Sequence, residues 1–399
     1  MDEIKNKVRR KARFVTSLFF ILAGILSATW SSRIPDVQQS FGLNDQIWGT
    51  VLFSLPAGLV TGLAVASWLS TRFGAAVIMI IGCILSSVFL AITGYVNSVF
   101  LLIIFLFLIG FTRTIFNIAV NTDSVIVQKF YEKPIISTFH GLWSLACFLA
   151  AGISTVMIIN GVSPAIHFTI IALACISSAL ILKNKIKSKE KINREKKPFI
   201  VKPDKYLFVL GMIAFCTMLC ESTMFDWSVN YFDRIVKVDK GLITLGYTSF
   251  IITMAFGRLV GDRIVGRFGA RRIIVINGYI IVTGFLIAVL FPYLIPAAFG
   301  FLLVGLGDSI IIPVLYSLSA KSKSMPASYA ITSVTMIGYA GFLLGPVIIG
   351  SVSEAWGMQW AFIVVATICT GIVVFGYYLK KFEKIITGTV PVVEVKPIS

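Results

Sequence analysis

Between Lys183 and Lys205 the chain reads KNKIKSKEKINREKKPFIVKPDK, ten basic residues against three acidic ones. No apolar face of useful length can be drawn through this run. On either side of it, stretches of about 20 apolar residues, the length a helix needs to cross a bilayer, follow one another with short interruptions. Apolar runs between breakers give six spans before it, at 14–34, 47–69, 75–94, 98–121, 138–160 and 163–182. Six more follow, at 206–230, 243–264, 272–292, 296–320, 328–353 and 358–379. The reading is an all-α membrane protein with twelve transmembrane helices. A six-helix bundle occupies 1–182, a basic linker 183–205, and a second six-helix bundle with a short tail 206–399.

Composition points the same way. The 399 residues are 57% hydrophobic and 13% charged, which excludes an ordinary soluble domain. The net charge of +17 is explained by its distribution. An even number of helices puts both termini on one side, and 29 of the 35 Lys and Arg residues fall in the tails, linker and loops of that side. The opposite side has four: Arg33, Arg234, Lys237 and Lys240. Cations gather on the cytoplasmic face, so both termini of this multi-pass membrane protein are expected there. The basic linker lies where this rule predicts it, and nucleic acid is not expected as a partner.

All six cysteines lie inside apolar stretches and none has ligand spacing. No disulfide, metal site or cofactor is expected. No His-x-x-x-His pair, nucleotide loop or nucleophile with a nearby base appears, so an enzyme is not expected either.

The two halves repeat each other. Gly62, Ser67 and Arg72-Phe73-Gly74-Ala75 recur as Gly257, Asp262 and Arg267-Phe268-Gly269-Ala270, each displaced by 195 residues. An even number of helices separates the copies, so they share one orientation, as in parallel-repeat carriers. The second copy adds arginines at a cytoplasmic helix end. Arg72, Gly257, Arg258, Asp262, Arg263 and Arg267 therefore read as gating residues, whose charges pair in one state and part in another.

Ionisable groups in hydrocarbon are costly and should border a wet cavity or a partner. Spans three and twelve carry no charge and span nine only Arg272 at its first position, whereas spans four, seven and ten carry Arg113, then Glu221 with Asp226, then Asp308. Every third helix is polar, as for a pathway lined by one member of each three-helix unit. On the fourth span Arg113, Asn117 and Asn121 form one stripe, because a step of four residues advances only about 40°. Arg113 either binds or couples, or it bonds a neighbouring helix end. On the seventh, Asp226 and Asn230 share a face while Glu221 points about 140° away from Asp226. Asp308 needs a partner or a proton, with Arg113, Arg258 or the solute as candidates. Trp30, Trp143, Trp227, Tyr231, Tyr316 and Tyr339 stand beside polar residues and suit sugar faces or cationic groups. Arg33 closes the first span, and His140 is a candidate relay or a satisfied structural histidine.

With these residues in view the sequence resembles the major facilitator superfamily, and within it the bacterial fucose-permease-like group. The motifs are Thr29-Trp30-Ser31-Ser32-Arg33-Ile34-Pro35, Asn117-Ile118-Ala119-Val120-Asn121, His140-Gly141-Leu142-Trp143-Ser144, Glu221 with Asp226-Trp227-Ser228, and Gly338-Tyr339 with Gly341 to Pro346. The resemblance implies a rocking two-bundle carrier of the bacterial cytoplasmic membrane, usually proton-coupled, with its site between helices one, four, seven and ten. Where that group places a coupling carboxylate in its fourth helix, this chain has Asn117. Coupling then falls to Glu221, Asp226, Asp308 or His140, with Arg113 beside them.

The expected function is a secondary active transporter for a sugar, amino sugar or similar small polar solute, using protons and acting as a monomer in the lipid bilayer. Its expected substrate-binding set is Trp30, Arg33, Asn117, Asn121, His140, Trp143, Asp226, Trp227, Tyr231, Asp308, Tyr316 and Tyr339. The alternative is a proton-driven exporter of drugs or organic cations, because three pathway acids against Arg113 leave a formal −2.

Overall fold

In a computed structural model, which describes residues 2–131, 135–183, 203–322 and 324–382, all regular structure among the described residues is helical. The first half contains α1 (Asp2–Ser40), α2 (Asp45–Phe73), α3 (Ala75–Thr93), α4 (Val99–Gln128), α5 (Ile136–Ile159) and α6 (Pro164–Lys183). The second contains α7 (Lys205–Tyr231), α8 (Leu245–Phe268), α9 (Ala270–Leu290), α10 (Leu294–Asp308), α11 (Ile311–Ser319), α12 (Ala327–Trp356) and α13 (Met358–Tyr378). Most of the linker expected at 183–205 lies outside the described residues, as does the side chain of Asp262.

Among the described residues, eleven helical segments are long and apolar enough to cross a membrane, with α10 and α11 counted as one. The twelfth, α8, carries the apolar stretch Leu245–Gly261 among its described residues. The chain is a multi-pass membrane protein.

Three spans depart from their expected outlines. α1 runs through Pro35 to Ser40. α4 continues past Asn121 to Gln128 and so buries Asp123, which accepts a hydrogen bond from Thr16 at 2.7 Å. The tenth span breaks after Asp308. Pro313 has no N–H for the carbonyl of Ser309 four residues earlier and its ring crowds that carbonyl, so the helix restarts at Ile311.

Helices α1 to α6 pack on one another, as do α7 to α13; across the halves α2 meets α12, α5 meets α8 and α1 meets α7. The repeat is visible in the packing. A Cβ on Gly110 of α4 would strike the carbonyl of Leu55 on α2, and one on Gly305 of α10 would strike that of Phe250 on α8. Both residues of the second pair stand 195 positions after those of the first.

Candidate functional site

Prolines in the second half leave helix carbonyls without their usual donors, and neighbouring helices fill three of these places. Ser222 on α7 donates to the Phe342 carbonyl at 3.3 Å, the one Pro346 cannot reach. Tyr231 donates to the Ala288 carbonyl at 2.9 Å, left free by Pro292. Arg258 on α8 donates through Nε to the Ser309 carbonyl at 3.4 Å, left free by Pro313. A buried carbonyl without a partner costs about 1–3 kcal/mol, so these contacts hold α7 and α8 against the irregular helices.

The third contact carries charge to the middle of the protein. Glu221 Oε1 lies 3.7 Å from Arg258 Nη2. Asp308, at the helix break, is 3% exposed, and one of its carboxyl oxygens has no hydrogen-bond partner. It lies within electrostatic reach of both Glu221 and Arg258. Tyr316 and Tyr339 are within the same reach of Glu221, and His140 within that of Arg258. From the first half Arg113 reaches toward Asp226 and Glu221. Asp226 accepts a hydrogen bond from Ser222 at 3.2 Å. Two guanidiniums and three carboxyls, carried by α4, α7, α8 and α10, thus share one neighbourhood. Arg258 belongs to this cluster rather than to a peripheral gate, and it changes the charge balance: with every group ionised the formal sum is −1, not −2.

A different network joins the halves at the end opposite the start of α1. Asn230 donates to Gln38 Oε1 at 2.6 Å. Gln38 in turn donates to Asp45 at 2.9 Å, and Arg234 pairs with Asp45 at 2.8 Å. Ser353 also donates to Asp45, and the Asp45 N–H donates to Glu354 at 3.0 Å. Thr155 and Thr244 share a hydrogen bond beside them. Gly49 and Gly350 let α2 and α12 touch there. This network closes that end. At the other end Asn121, Arg263 and Arg267 are exposed.

Several residues expected to bind the solute sit elsewhere. Arg33 is occupied by Asp36 at 2.5 Å, by His167 Nδ1 at 3.2 Å and by the Val162 carbonyl, near the closed end. Trp227 and Tyr231 are fully buried; the Tyr231 ring packs on Phe362 at 4.4 Å, inside the second half. Helix phase explains this, since Trp227 and Tyr231 lie about 100° and 140° around α7 from Asp226. Asn121 turns its amide back to the Asn117 carbonyl at 2.8 Å. Trp143 is half-buried and packs against the core, while His140 meets Phe20 edge-on at 5.2 Å.

Of the other gating residues, Asp262 has no described side chain, and Arg72 and Arg267 face rings of their own helices. Arg72 lies over Trp68 and Phe73, and Arg267 over Phe268. Gly257 packs α8 against Ser309 at the helix break. At the closed end the contacts are made by Gln38, Asp45, Asn230, Ser353 and Glu354, residues the sequence did not single out for gating. Asp45 follows Asn44, the N-cap of α2, and reads as an ordinary first-turn acid. Gln38 apart, its partners Arg234, Ser353 and Glu354 come from the other half of the chain, where no local pattern reaches. Among the described residues no group of three or more His, Cys, Asp or Glu could hold a metal ion.

The sequence model of the Major Facilitator Superfamily matches residues 14–330. The chain belongs to the Major Facilitator Superfamily. It is 30% identical over 350 residues to an uncharacterized MFS-type transporter of Yersinia pestis, covering 87% of this chain and 90% of that one. It is 27% identical over 365 residues to the membrane protein MosC of Rhizobium meliloti, covering 89% and 86%. Among solved structures, a bacterial homolog of the lysosomal transporter Spinster, inward-facing and unoccupied, superimposes with TM-score 0.75 at 14% identity over 95% of this chain and 98% of that one. The nucleoside transporter NupG gives 0.77 at 13% identity over 94% and 99%. At such identities the likeness is one of fold. This member of the superfamily is a transporter and not an enzyme.

Proposed function

We propose that this protein is a proton-coupled secondary active transporter of the fucose-permease-like kind, moving a small polar solute such as a sugar or amino sugar by alternating access. Residues 1–182 and 206–399 rock against each other as two bundles tied by the 183–205 linker, and a single chain suffices. Both termini face the cytoplasm, so the arrangement described is open inward.

The observation that carries this reading is the charge cluster at the meeting of the halves. Glu221 and Asp308 face one Arg258, and only one of the two acids can be fully paired there. A carboxyl left without a counter-charge in a low-dielectric setting takes a proton instead of staying ionised. Binding a proton at Asp308 brings the five-group cluster to neutrality. Its opposite-signed groups come from both halves, so a change in protonation alters the attraction between the bundles. A neutral cluster gives no special welcome to organic cations, which places the exporter reading second.

A thermal-shift screen of purified protein against sugars, amino sugars, nucleosides and cationic drugs at two pH values tests this. Stabilisation by a polar solute that changes with pH is expected. Stabilisation by cationic drugs alone would contradict it.

A further inference from the structure

Arg113 is placed unlike the other cation of the cluster. Arg258 has Glu221 and the Ser309 carbonyl. Arg113 has no hydrogen-bond or ion-pair partner among the described residues, although it stands inside a membrane span. A guanidinium in such a place is stable only with an anion beside it. Asp226 and Glu221 act on it from a distance, but Asp226 accepts from Ser222 and Glu221 pairs with Arg258.

The space next to Arg113 has a defined chemistry. A cavity of about 20 Å³ lies between α1, α3 and α4, lined by Arg113, Trp30, Asn117, Ser86 and Phe116 among others. Trp30 is 2% exposed, and its indole N–H has no hydrogen-bond partner. The Asn117 side-chain amide, one turn after Arg113, likewise bonds to nothing among the described residues. Arg113, Trp30 and Asn117, each carrying N–H donors without a partner among the described residues, therefore line one space large enough for one or two oxygen atoms. It is far too small for a whole sugar ring. Phe116, Leu26 and Ile109 give it apolar sides, and the Ser86 hydroxyl in its lining donates to Thr112 at 3.1 Å.

We infer that Arg113, Trp30 and Asn117 form a subsite for a carboxylate group, and that the transported solute is a hydroxylated monocarboxylate rather than a neutral sugar or an amino sugar. The inference rests on the polar-solute reading above and narrows it. A carboxylate satisfies a guanidinium through two parallel N–H···O bonds. A hydroxyl leaves the charge uncompensated. A solute carboxylate at Arg113 also adds one negative charge next to Asp226 and Glu221, which strengthens the requirement for a proton to enter with it.

The test is a thermal-shift titration of the purified full-length protein with matched pairs: glucuronate against glucose, galacturonate against galactose, and gluconate against glucitol, with sodium chloride as the inorganic anion. At least one acid is expected to stabilise the protein at about one tenth the concentration its neutral partner needs, as suits a hydrogen-bonded charge pair worth about 1.5 kcal/mol or more, and chloride is expected not to. Arg113→Gln should abolish the preference, Arg113→Lys should retain part of it because a point charge replaces the fork, and Trp30→Phe should weaken the acid several-fold while preserving the fold. Equal or better stabilisation by the neutral partners would overturn the carboxylate subsite and leave the polar-solute reading standing. So would an acid preference that survives Arg113→Gln, stabilisation matched by chloride, or no response to any acid. A response to cationic drugs alone would overturn both.

Discussion

Arg113 and Asp308 occupy equivalent places in the two repeats, 195 residues apart, with opposite charges. The glycines three positions before them, Gly110 and Gly305, pack on equivalent carbonyls of Leu55 and Phe250, so the correspondence is one of structure as well as of counting. A pseudo-twofold arrangement thus places a cation and an acid on facing central helices, near Glu221 in both cases. The two halves share a frame and differ where the chemistry is.

Removing Arg258 should destabilise the second half. Arg258→Ala leaves Glu221 without its cation and Ser309 without its donor. The expected loss is about 2 kcal/mol, the sum of about 1 kcal/mol for the carbonyl left without its donor and about 1 kcal/mol for the partly exposed ion pair. Thermal unfolding in detergent reads it. Adding Glu221→Gln should recover part of the loss, because it removes the orphaned charge; a double variant no more stable than the single one would separate the two residues.

The closed end should open when its hydrogen bonds are cut. Asn230→Ala removes the donor to Gln38, and Asp45→Ala removes the acceptor of Gln38, Arg234 and Ser353. All six native cysteines are free and buried, so background labelling is low. In a Thr244→Cys reporter, modification by an impermeant maleimide added outside should speed up about fivefold in Asn230→Ala, the equivalent of one neutral hydrogen bond, and about tenfold or more in Asp45→Ala, where a charged acceptor is lost. Unchanged rates would show that these bonds do not hold the end shut.

Tyr231 should matter for stability and not for transport. Its hydroxyl serves the Ala288 carbonyl, and its ring lies among Phe301 and Phe362. Tyr231→Phe is expected to cost about 1 kcal/mol and to leave the KM for the solute unchanged. A several-fold change in KM at unchanged melting temperature would return Tyr231 to the pathway.

The sequence carries the helix framework and the polar helices well, because apolar length, the charge of alternate loops and the 195-residue repeat are properties of the chain itself. Arg113, Glu221, Asp226 and Asp308 are legible as costly charges in spans otherwise made of hydrocarbon. What they touch is not. Arg258 looks like part of a loop signature, and only the broken helix at Pro313 shows that it faces inward to Ser309 and Glu221. Trp227 and Tyr231 look like pathway aromatics because they neighbour Asp226 in sequence, yet helix phase turns them into the core. The network around Asp45 depends on pairs of residues from opposite ends of the chain, which no local pattern encodes.

Solute-driven proton movement in proteoliposomes, followed with an internal pH dye for the wild type, Asp308→Asn and Glu221→Gln, tests proton coupling at this cluster most directly. The wild type should change its internal pH when solute is added. The two variants should melt close to the wild-type temperature, exchange labelled solute, and move protons at less than about one tenth of the wild-type rate, as expected when the group that exchanges the proton is gone. Wild-type proton movement in both variants, with solute transport still using the pH gradient, would contradict a proton-carrying role for Asp308 and Glu221.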